Sequence, residues 1–345
     1  MAYTPHLSSR AVRGWLLPAL LVAVLAAANL LVGGTRLAPA EVWHALTGGD
    51  GATDAARFIV LEVRLPLLLT ALLAGAALAV AGLLMQTLFA NPLADPGILG
   101  VNSGAGLGVA IALLLLGGTL TAGTLELSGF VLTLAAAFAG AAVVIALLLL
   151  CSTLLPGRLL LLVTGVMLSF VASALIGLLS FWATAQGVQS YVVWGLGHFG
   201  GVTMRQLPAF AACTVVGLAA TLFFAKPLNA MLLGDDYAHN LGVNVRRTRT
   251  LVLLLTGFLT AVVTALCGPI AFIGLAVPHA ARLTLRTSDH RLLLPATMLW
   301  GAATTLLCNL VSVLPAEGGM LPINVITPFL GVPMVFYLLT RHRTE

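Results

Sequence analysis

The amino-acid sequence predicts an all-α integral membrane protein with about ten transmembrane helices. Hydrophobic residues make up 60% of its 345 residues and charged residues only 8%, and the mean hydropathy is +1.09. Such a chain has more apolar surface than a water-soluble core can bury. Its apolar runs continue for about 20 residues, as a helix across the hydrocarbon core requires. A membrane β-barrel would instead need alternating strands of about ten residues.

Ten apolar runs are candidate spans, and together they make the whole chain, 1–345, one transmembrane domain. The eighth run is short and contains Pro278, so we expect it to cross only part of the bilayer. A further short surface helix is expected at 191–199. The predicted spans are 15–33, 66–90, 98–117, 129–151, 159–182, 207–225, 250–268, 270–285, 292–314 and 325–340.

Lysine and arginine are distributed unevenly between alternate loops. Twelve of the 16 fall in the two termini and the loops around 89–97, 152–158, 226–249 and 282–291. Because cytoplasmic loops carry an excess of Lys and Arg, both termini are expected in the cytoplasm. The net charge of +5 follows from this topology and gives no indication of nucleic acid as a partner. The four on the opposite side are Arg36, Arg57, Arg64 and Arg205.

The sequence contains no recognisable catalytic, cofactor or metal site. A phosphate-binding loop places a lysine after a glycine-rich turn, but the single lysine, Lys226 in FFAKPLNA, follows no such turn. The four cysteines lie in apolar runs without CxxC spacing, so packing is expected rather than zinc binding or disulfides. The spans are nearly free of the ionisable residues that ion-coupled carriers commonly keep at membrane depth. We therefore expect any driving force to come from a partner.

The stretch FANPLADPGILG, 89–100, ends the second span abruptly. Pro92 disfavours helical geometry at the preceding residue, and Pro96 followed by glycine allows the chain to reverse. Asn91 and Asp95 are expected to hydrogen-bond free backbone groups there. By itself this pattern indicates a turn at the cytoplasmic face.

Several motifs resemble the FecCD/BtuC-type permeases, the membrane subunits of ATP-binding-cassette importers for iron chelates, haem and cobalamin. The resemblance begins with RLPLLLTALLAGAALAVAGLLMQTLFANPLADPGILGVNSGAGLGV and covers nearly the whole chain. It continues in order through WGLGHFGGVTMRQL, LGDDYAHNLGVNVRRTR, GPIAFIGLAVPHAARLTLRTSDHRLLLP and LPINVITPFLGVPMVFYLL.

The resemblance implies a ten-helix permease in the bacterial cytoplasmic membrane, paired with a second copy or with a related permease. Two ATPase subunits, which bind ATP and magnesium, would dock on the cytoplasmic side. A periplasmic or lipid-anchored substrate-binding protein would dock outside. The permease itself would have no ATPase site.

The resemblance also assigns roles to residues of this chain. Asn91 and Leu93 of the NPLA turn match the cytoplasmic gate, although a plain turn remains an alternative. The loop 226–249 matches the element that couples the permease to the ATPase. A solvated loop is the alternative, but it explains the small residues poorly. The matching positions are Gly234, Ala238, Leu241, Gly242 and Val243.

The outer face departs from the family pattern. The cobalamin permeases have RLPR at the start of the second span, whereas this chain has RLPL. Asn309 and Val313 occupy positions where that pattern has an aspartate and an arginine. Arg64 is the first candidate for docking the binding protein, with Arg57 or Arg205 in support.

The motifs do not name the substrate. His198, in GLGHFGG near the outer mouth, would suit contact with iron or a haem propionate, and we expect an iron chelate, a ferric siderophore or haem, as the substrate. Cobalamin is the alternative, because GHFGGVTMRQ resembles the cobalamin permease locally. The pathway is expected to be lined by the fifth and tenth spans, with packing alone as the alternative role for the fifth-span residues Met167, Ser169, Ser173 and Ser180.

Two other classes of protein stay open at this stage. A secondary transporter would carry its own coupling site and transport without ATP. A non-transporting membrane scaffold would show no uptake.

Overall fold

The computed structural model describes residues 9–122, 125–154, 158–315 and 319–341, which form helices and one short β-hairpin. The all-helical membrane class is confirmed. The helices are α1 (Ser9–Leu31), α2 (Pro39–Thr47), α3 (Asp54–Phe58), α4 (Leu65–Leu88), α5 (Val101–Ala110), α6 (Gly129–Leu154), α7 (Arg158–Trp182), α8 (Ala185–Gly195), α9 (Leu207–Leu222), α10 (Ala225–Met231), α11 (Asp235–Asn240), α12 (Val245–Cys267), α13 (Ile273–Leu285), α14 (His290–Val313) and α15 (Ile323–Arg341).

Two π-helical segments adjoin these helices. Ile59–Arg64 joins α3 to α4, and Ile111–Leu115 extends α5. The hairpin pairs β1 (Thr119–Ala122) with β2 (Leu125–Ser128) in antiparallel fashion between α5 and α6. The sequence did not predict the hairpin, because its strands of four residues each are the shortest over which alternation can indicate a strand.

The sequence predicts ten spans, but the structure has fewer helices that are long enough to cross a bilayer alone. Within the described ranges, six are long and apolar enough, and α9 and α10 would together make a seventh, bent by 52°. The predicted third and tenth spans fall on shorter apolar helices. The eighth falls on α13, which has 13 residues, as its shortness predicted. The number of spans therefore stays a prediction.

Helix α4 forms the centre of the protein. Every residue from 74 to 88 is buried, and the helix packs against α9, α12, α13 and α14. Close approach depends on small residues, as is typical of helices packed in membranes. The Thr305 hydroxyl of α14 donates to the Ala71 carbonyl of α4 at 2.7 Å. Gly75 and Gly301 face each other at the same contact.

The other helices surround this centre. Helix α1 packs on α14, where the Trp15 indole N–H donates to the Leu292 carbonyl at 3.2 Å. Helices α5 and α6 form a second closely packed pair, and α7 lies against α5. Only 17% of the apolar stretch of α7 is buried within the protomer. Helix α7 therefore presents most of its surface to lipid or to another chain.

Candidate functional site

The predicted coupling loop at 226–249 contains two short helices, α10 and α11. Gly234 precedes α11 with a φ of +110°, and Gly242 follows it with a φ of +83°. Both values lie in the region of backbone space that favours glycine. Asn244 caps α12, which begins at Val245. The two short helices are joined through Gly234, Gly242 lies between α11 and α12, and the end of the predicted loop belongs to α12.

The five residues predicted to couple to an ATPase are not all on the surface. Ala238 is completely buried, and its carbonyl accepts a hydrogen bond from the Val243 backbone N–H at 3.0 Å. Leu241 is 58% exposed, and Gly242 beside it is also exposed. Ala238 therefore supports the element from inside, while Leu241 and Gly242 are open to a partner.

Sequence reasoning missed other exposed apolar residues in the same element, of which Leu233 and Tyr237 are the most exposed. Leu233 is 65% exposed and Tyr237 is 52% exposed; together with Leu241 they form what we call the coupling surface. An ion pair of 3.0 Å between Arg249 and Asp235 connects α11 to α12. Exposed apolar groups on a charged loop would be costly if they faced only water, so the coupling surface has the character of a docking site.

The turn after α4 has the hydrogen bonds that its sequence predicts. The Asn91 side-chain oxygen accepts from the Leu93 backbone N–H at 2.9 Å, and the Asp95 carboxylate accepts from the Gly97 N–H at 2.8 Å. Burial raises the pKa of Asp95 to about 6, against the lowering effect of the bond from Gly97. The Leu93 side chain is half-buried, and its role as a gate stays a prediction.

The His279 ring of α13 contacts a backbone carbonyl of the turn after α4. Its Nε2 lies 2.9 Å from the Pro92 carbonyl oxygen, which can only accept, so the ring donates this hydrogen bond. The bond connects α13 to the turn after α4. Within the described part of the chain, no cluster of His, Cys, Asp and Glu is suited to hold a metal ion. All four cysteines are free.

Arg64, the first candidate for docking a binding protein, is 5% exposed. Its guanidinium donates to the Leu30 carbonyl at 2.6 Å and to the Leu31 carbonyl at 3.1 Å, at the end of α1. These carbonyls carry the negative end of the helix dipole, so Arg64 caps α1. The sequence could not indicate this, because the contact joins residues more than 30 positions apart. Arg64 is therefore buried rather than exposed for docking.

The two supporting candidates lie nearer the surface. Arg205 is exposed. Arg57 is half-buried and donates to the Gly49 carbonyl at 2.8 Å. Of the three arginines, Arg205 is therefore the one freely placed for a protein partner.

A cavity of about 310 Å³ lies beside Arg64, between the ends of α1, α4 and α14. Asn309, one of the two positions that depart from the family pattern, lines it and is 1% exposed. Its amide nitrogen donates to the Asn29 side-chain oxygen at 2.7 Å. Val313, the second position, also lines the cavity. Where the family pattern has opposite charges, this chain has a neutral amide pair and a valine.

The predicted pathway residues of α7 do not share one face. At about 100° per residue, Ser169, Ser173 and Ser180 lie within about 40° of one another, and Met167 lies on the opposite side. Met167 is 52% exposed. The Ser169 and Ser180 hydroxyls donate to carbonyls one turn earlier in their own helix, at 3.0 and 2.8 Å. The serines and the methionine therefore cannot line the same stripe of one pathway.

His198 lies in the loop after α8, with an exposed side chain. Its backbone N–H donates to the Cys267 carbonyl at 2.9 Å, which holds the loop against the end of α12. Its contact with a substrate stays a prediction.

Comparisons with known proteins agree on one family. A model of the FecCD transport family matches residues 20–341. The vitamin B12 import system permease protein BtuC of Klebsiella pneumoniae is 37% identical over 338 residues, which cover 98% of this chain and 97% of the relative. The protein of the same name from Shigella boydii is 38% identical over 307 residues, covering 89% and 90%. A solved inward-facing structure of a metal-chelate type ABC transporter superposes with a TM-score of 0.82 at 29% identity, covering 95% and 98%.

Proposed function

The chain belongs to the FecCD transport family, and from this premise we propose that it is the permease subunit of an importer for vitamin B12, driven by a separate ATPase. The observation that carries the substrate is the identity of 37% across 98% of the chain to a permease named for vitamin B12 import. The relatives thus favour cobalamin, the alternative at the sequence level, over the iron chelate first expected. The local motif GHFGGVTMRQ points the same way.

A metal chelate is the second candidate substrate. It is supported by the structural likeness to a transporter of the metal-chelate type. That likeness has the lower sequence identity, 29% against 37%. We therefore rank cobalamin first and treat a ferric chelate as the competitor to be tested beside it.

The energy source is proposed to be an ATPase that docks on the coupling surface. The sequence supplies no phosphate-binding loop, since Lys226 is its single lysine and follows no glycine-rich turn. The coupling surface exposes Leu233, Tyr237 and Leu241 on a compact element. Two such ATPase subunits, holding ATP and magnesium, would bind two permease copies.

A second copy of the permease is proposed because the cavity beside Arg64 is small for a corrinoid and α7 is largely uncovered within the protomer. The cavity beside Arg64 measures about 310 Å³, at the lower end of pockets for drug-sized ligands. A corrinoid is larger than such ligands. Helix α7 has most of its surface free within the protomer, so a pathway between two copies is the arrangement that fits.

The turn at Asn91 and Leu93 is proposed as the inner constriction of that pathway, and Arg205 as the first contact for a binding protein outside. The protein would lie in the bacterial inner membrane with both termini in the cytoplasm. The residues at the two ends of the chain, 1–8 and 342–345, lie outside the part that the structure describes.

The partner set is testable by purifying the tagged chain from its native membrane in mild detergent. Mass spectrometry is expected to find an ATPase with a phosphate-binding loop, a substrate-binding protein, and the permease at two copies per complex. Recovery of the chain with no ATPase, under conditions that keep a control ABC complex intact, would contradict the proposal. It would favour a secondary transporter or a scaffold.

A further inference from the structure

Hydrogen bonds connect the coupling helix α10, through the start of α14, to the last turn of α4 and the turn that follows it. We propose that Asn229 and His290 are positioning residues that transmit movement of the coupling element to the turn at 89–100. This inference rests on the proposed function. It concerns how ATP hydrolysis at one end of the element changes the proposed constriction at the other.

The first link joins α10 to α14. The Asn229 amide nitrogen donates to the Asp289 carboxylate at 2.6 Å. The Asn229 side-chain oxygen accepts from the His290 backbone N–H at 2.8 Å. Asp289 is also the cap of α14, because its carboxylate accepts from the Arg291 N–H at 2.9 Å. The Asn229 side chain of α10 therefore hydrogen-bonds to both Asp289 and His290, with which α14 begins.

The second link runs through the His290 ring, which is 1% exposed. Its Nδ1 lies 2.8 Å from the Asn229 side-chain oxygen, and its Nε2 lies 2.8 Å from the Thr87 hydroxyl. The bond to Asp289 fixes which end of the Asn229 amide is oxygen. Nδ1 must therefore donate to it, and in the neutral ring Nε2 is the acceptor that faces Thr87. The single Thr87 hydroxyl hydrogen is shared between Nε2 at 2.8 Å and the Leu83 carbonyl at 3.0 Å. The donor and the acceptor of the ring thus each face a polar side chain.

The third link joins the end of α4 to the turn. The Ala90 N–H donates to the Thr87 carbonyl at 3.2 Å, and the Asn91 N–H donates to the Gln86 carbonyl at 3.1 Å. The residue whose hydroxyl contacts His290 thus also holds Ala90, the second residue of the turn, through its backbone. Displacement of α10 reaches the turn through four residues in sequence.

Helix α13 supplies a second support for the same turn. The Arg282 guanidinium donates to the Gln86 side-chain oxygen at 2.6 Å. The Gln86 amide in turn donates to the Leu275 carbonyl at 3.1 Å. With His279 bound to the Pro92 carbonyl, the turn is held from α13 on one side and from α10 through His290 on the other. If α10 moves while α13 stays, the two supports pull the turn apart.

Packing alone does not require a histidine at position 290. An apolar side chain of similar size at position 290 would fill the same volume without the cost of burying an imidazole. The buried ring is explained if its directed bonds are needed. Directed bonds between buried groups hold α10, α14 and α4 in a defined mutual orientation, which van der Waals contact does less strictly.

The test compares His290→Leu and His290→Gln in the complete reconstituted complex. Glutamine keeps one donor and one acceptor, whereas leucine has neither. We expect His290→Leu to retain ATPase binding and ATP hydrolysis but to transport roughly 2- to 30-fold less cobalamin per ATP, the range typical of residues along a coupling network. We expect His290→Gln to recover most of that ratio. Ser288→Ala, an exposed neighbour, is the matched control and should equal wild type.

A second variant distinguishes loss of the hydrogen bonds from misfolding caused by a change at position 290. Asn229→Ala removes the link from the α10 side and leaves the ring bonded to Thr87, and it should lower transport per ATP in the same way. Unchanged transport per ATP in both Asn229→Ala and His290→Leu would overturn the inference and leave the proposed function standing. Equal losses in His290→Leu and His290→Gln would also overturn it, because volume rather than bonding would then matter. Absence of ATP-driven transport in the wild-type complex would instead overturn the proposed function and the inference together.

Discussion

Replacing Gly82 with leucine is expected to prevent the chain from forming a stable fold. Gly82 lies on α4 against the first turn of α13, and a Cβ built on it would overlap the Gly274 carbonyl oxygen. Backbone atoms cannot rotate away as a side chain can, so α4 and α13 would have to separate. We expect a loss of about 3 kcal/mol or more, at or above the upper end for overpacked cores. The measurement is the yield and the midpoint of thermal unfolding of detergent-purified protein.

Gly177→Leu is the matched control for this experiment. Gly177 lies within α7, and a Cβ built there meets no atom within 4 Å. Leucine also has a higher helix propensity than glycine. This variant should be recovered as well as wild type. If Gly82→Leu and Gly177→Leu gave equal yields and unfolding midpoints, the close contact between α4 and α13 would be wrong.

Leu241→Asp is expected to separate the permease from its ATPase. Leu241 is 58% exposed, so the folded permease loses little from the change. An aspartate at the centre of an apolar interface would be buried without a partner. We expect at least about tenfold weaker association, as for a central contact residue. The measurement is the binding of purified ATPase to the permease in detergent, together with uptake.

Asn240→Asp controls for charge in that experiment. Asn240 is the neighbouring residue and is also exposed, so this variant adds the same charge without removing the apolar side chain. It should bind the ATPase nearly as wild type does. Equal weakening by both variants would indicate a general charge effect. Undiminished binding by Leu241→Asp would remove Leu241 from the interface.

The features that the sequence predicted best are those that depend on residues close together along the chain. Long apolar runs predicted the helices, Pro92 predicted the end of α4, and Asn91 and Asp95 predicted the hydrogen bonds of the turn. Each of these follows from local propensity or solvent preference. The family was likewise identified from motifs that can be read directly in the sequence.

The features that the sequence did not predict depend on contacts between distant segments. Arg64 was assigned to docking at the outer surface from its match to the RLPR motif of the family, but its guanidinium caps α1. The sequence assigned no role to His290, whose ring lies against Asn229 of α10. Periodicity in one segment carries no information on which helix lies beside it, so neither contact had a local signal.

The central claim is that this chain, with an ATPase and a binding protein, moves cobalamin across a membrane. It is tested most directly by reconstituting the purified complex in vesicles with ATP inside and cobalamin-loaded binding protein outside. The account predicts accumulation of cobalamin that requires ATP, exceeds that of a ferric siderophore supplied in the same way, and is lost when the ATPase is inactive. Accumulation of the siderophore but not of cobalamin would contradict the substrate, and cobalamin entry that persists without ATP would contradict the mechanism.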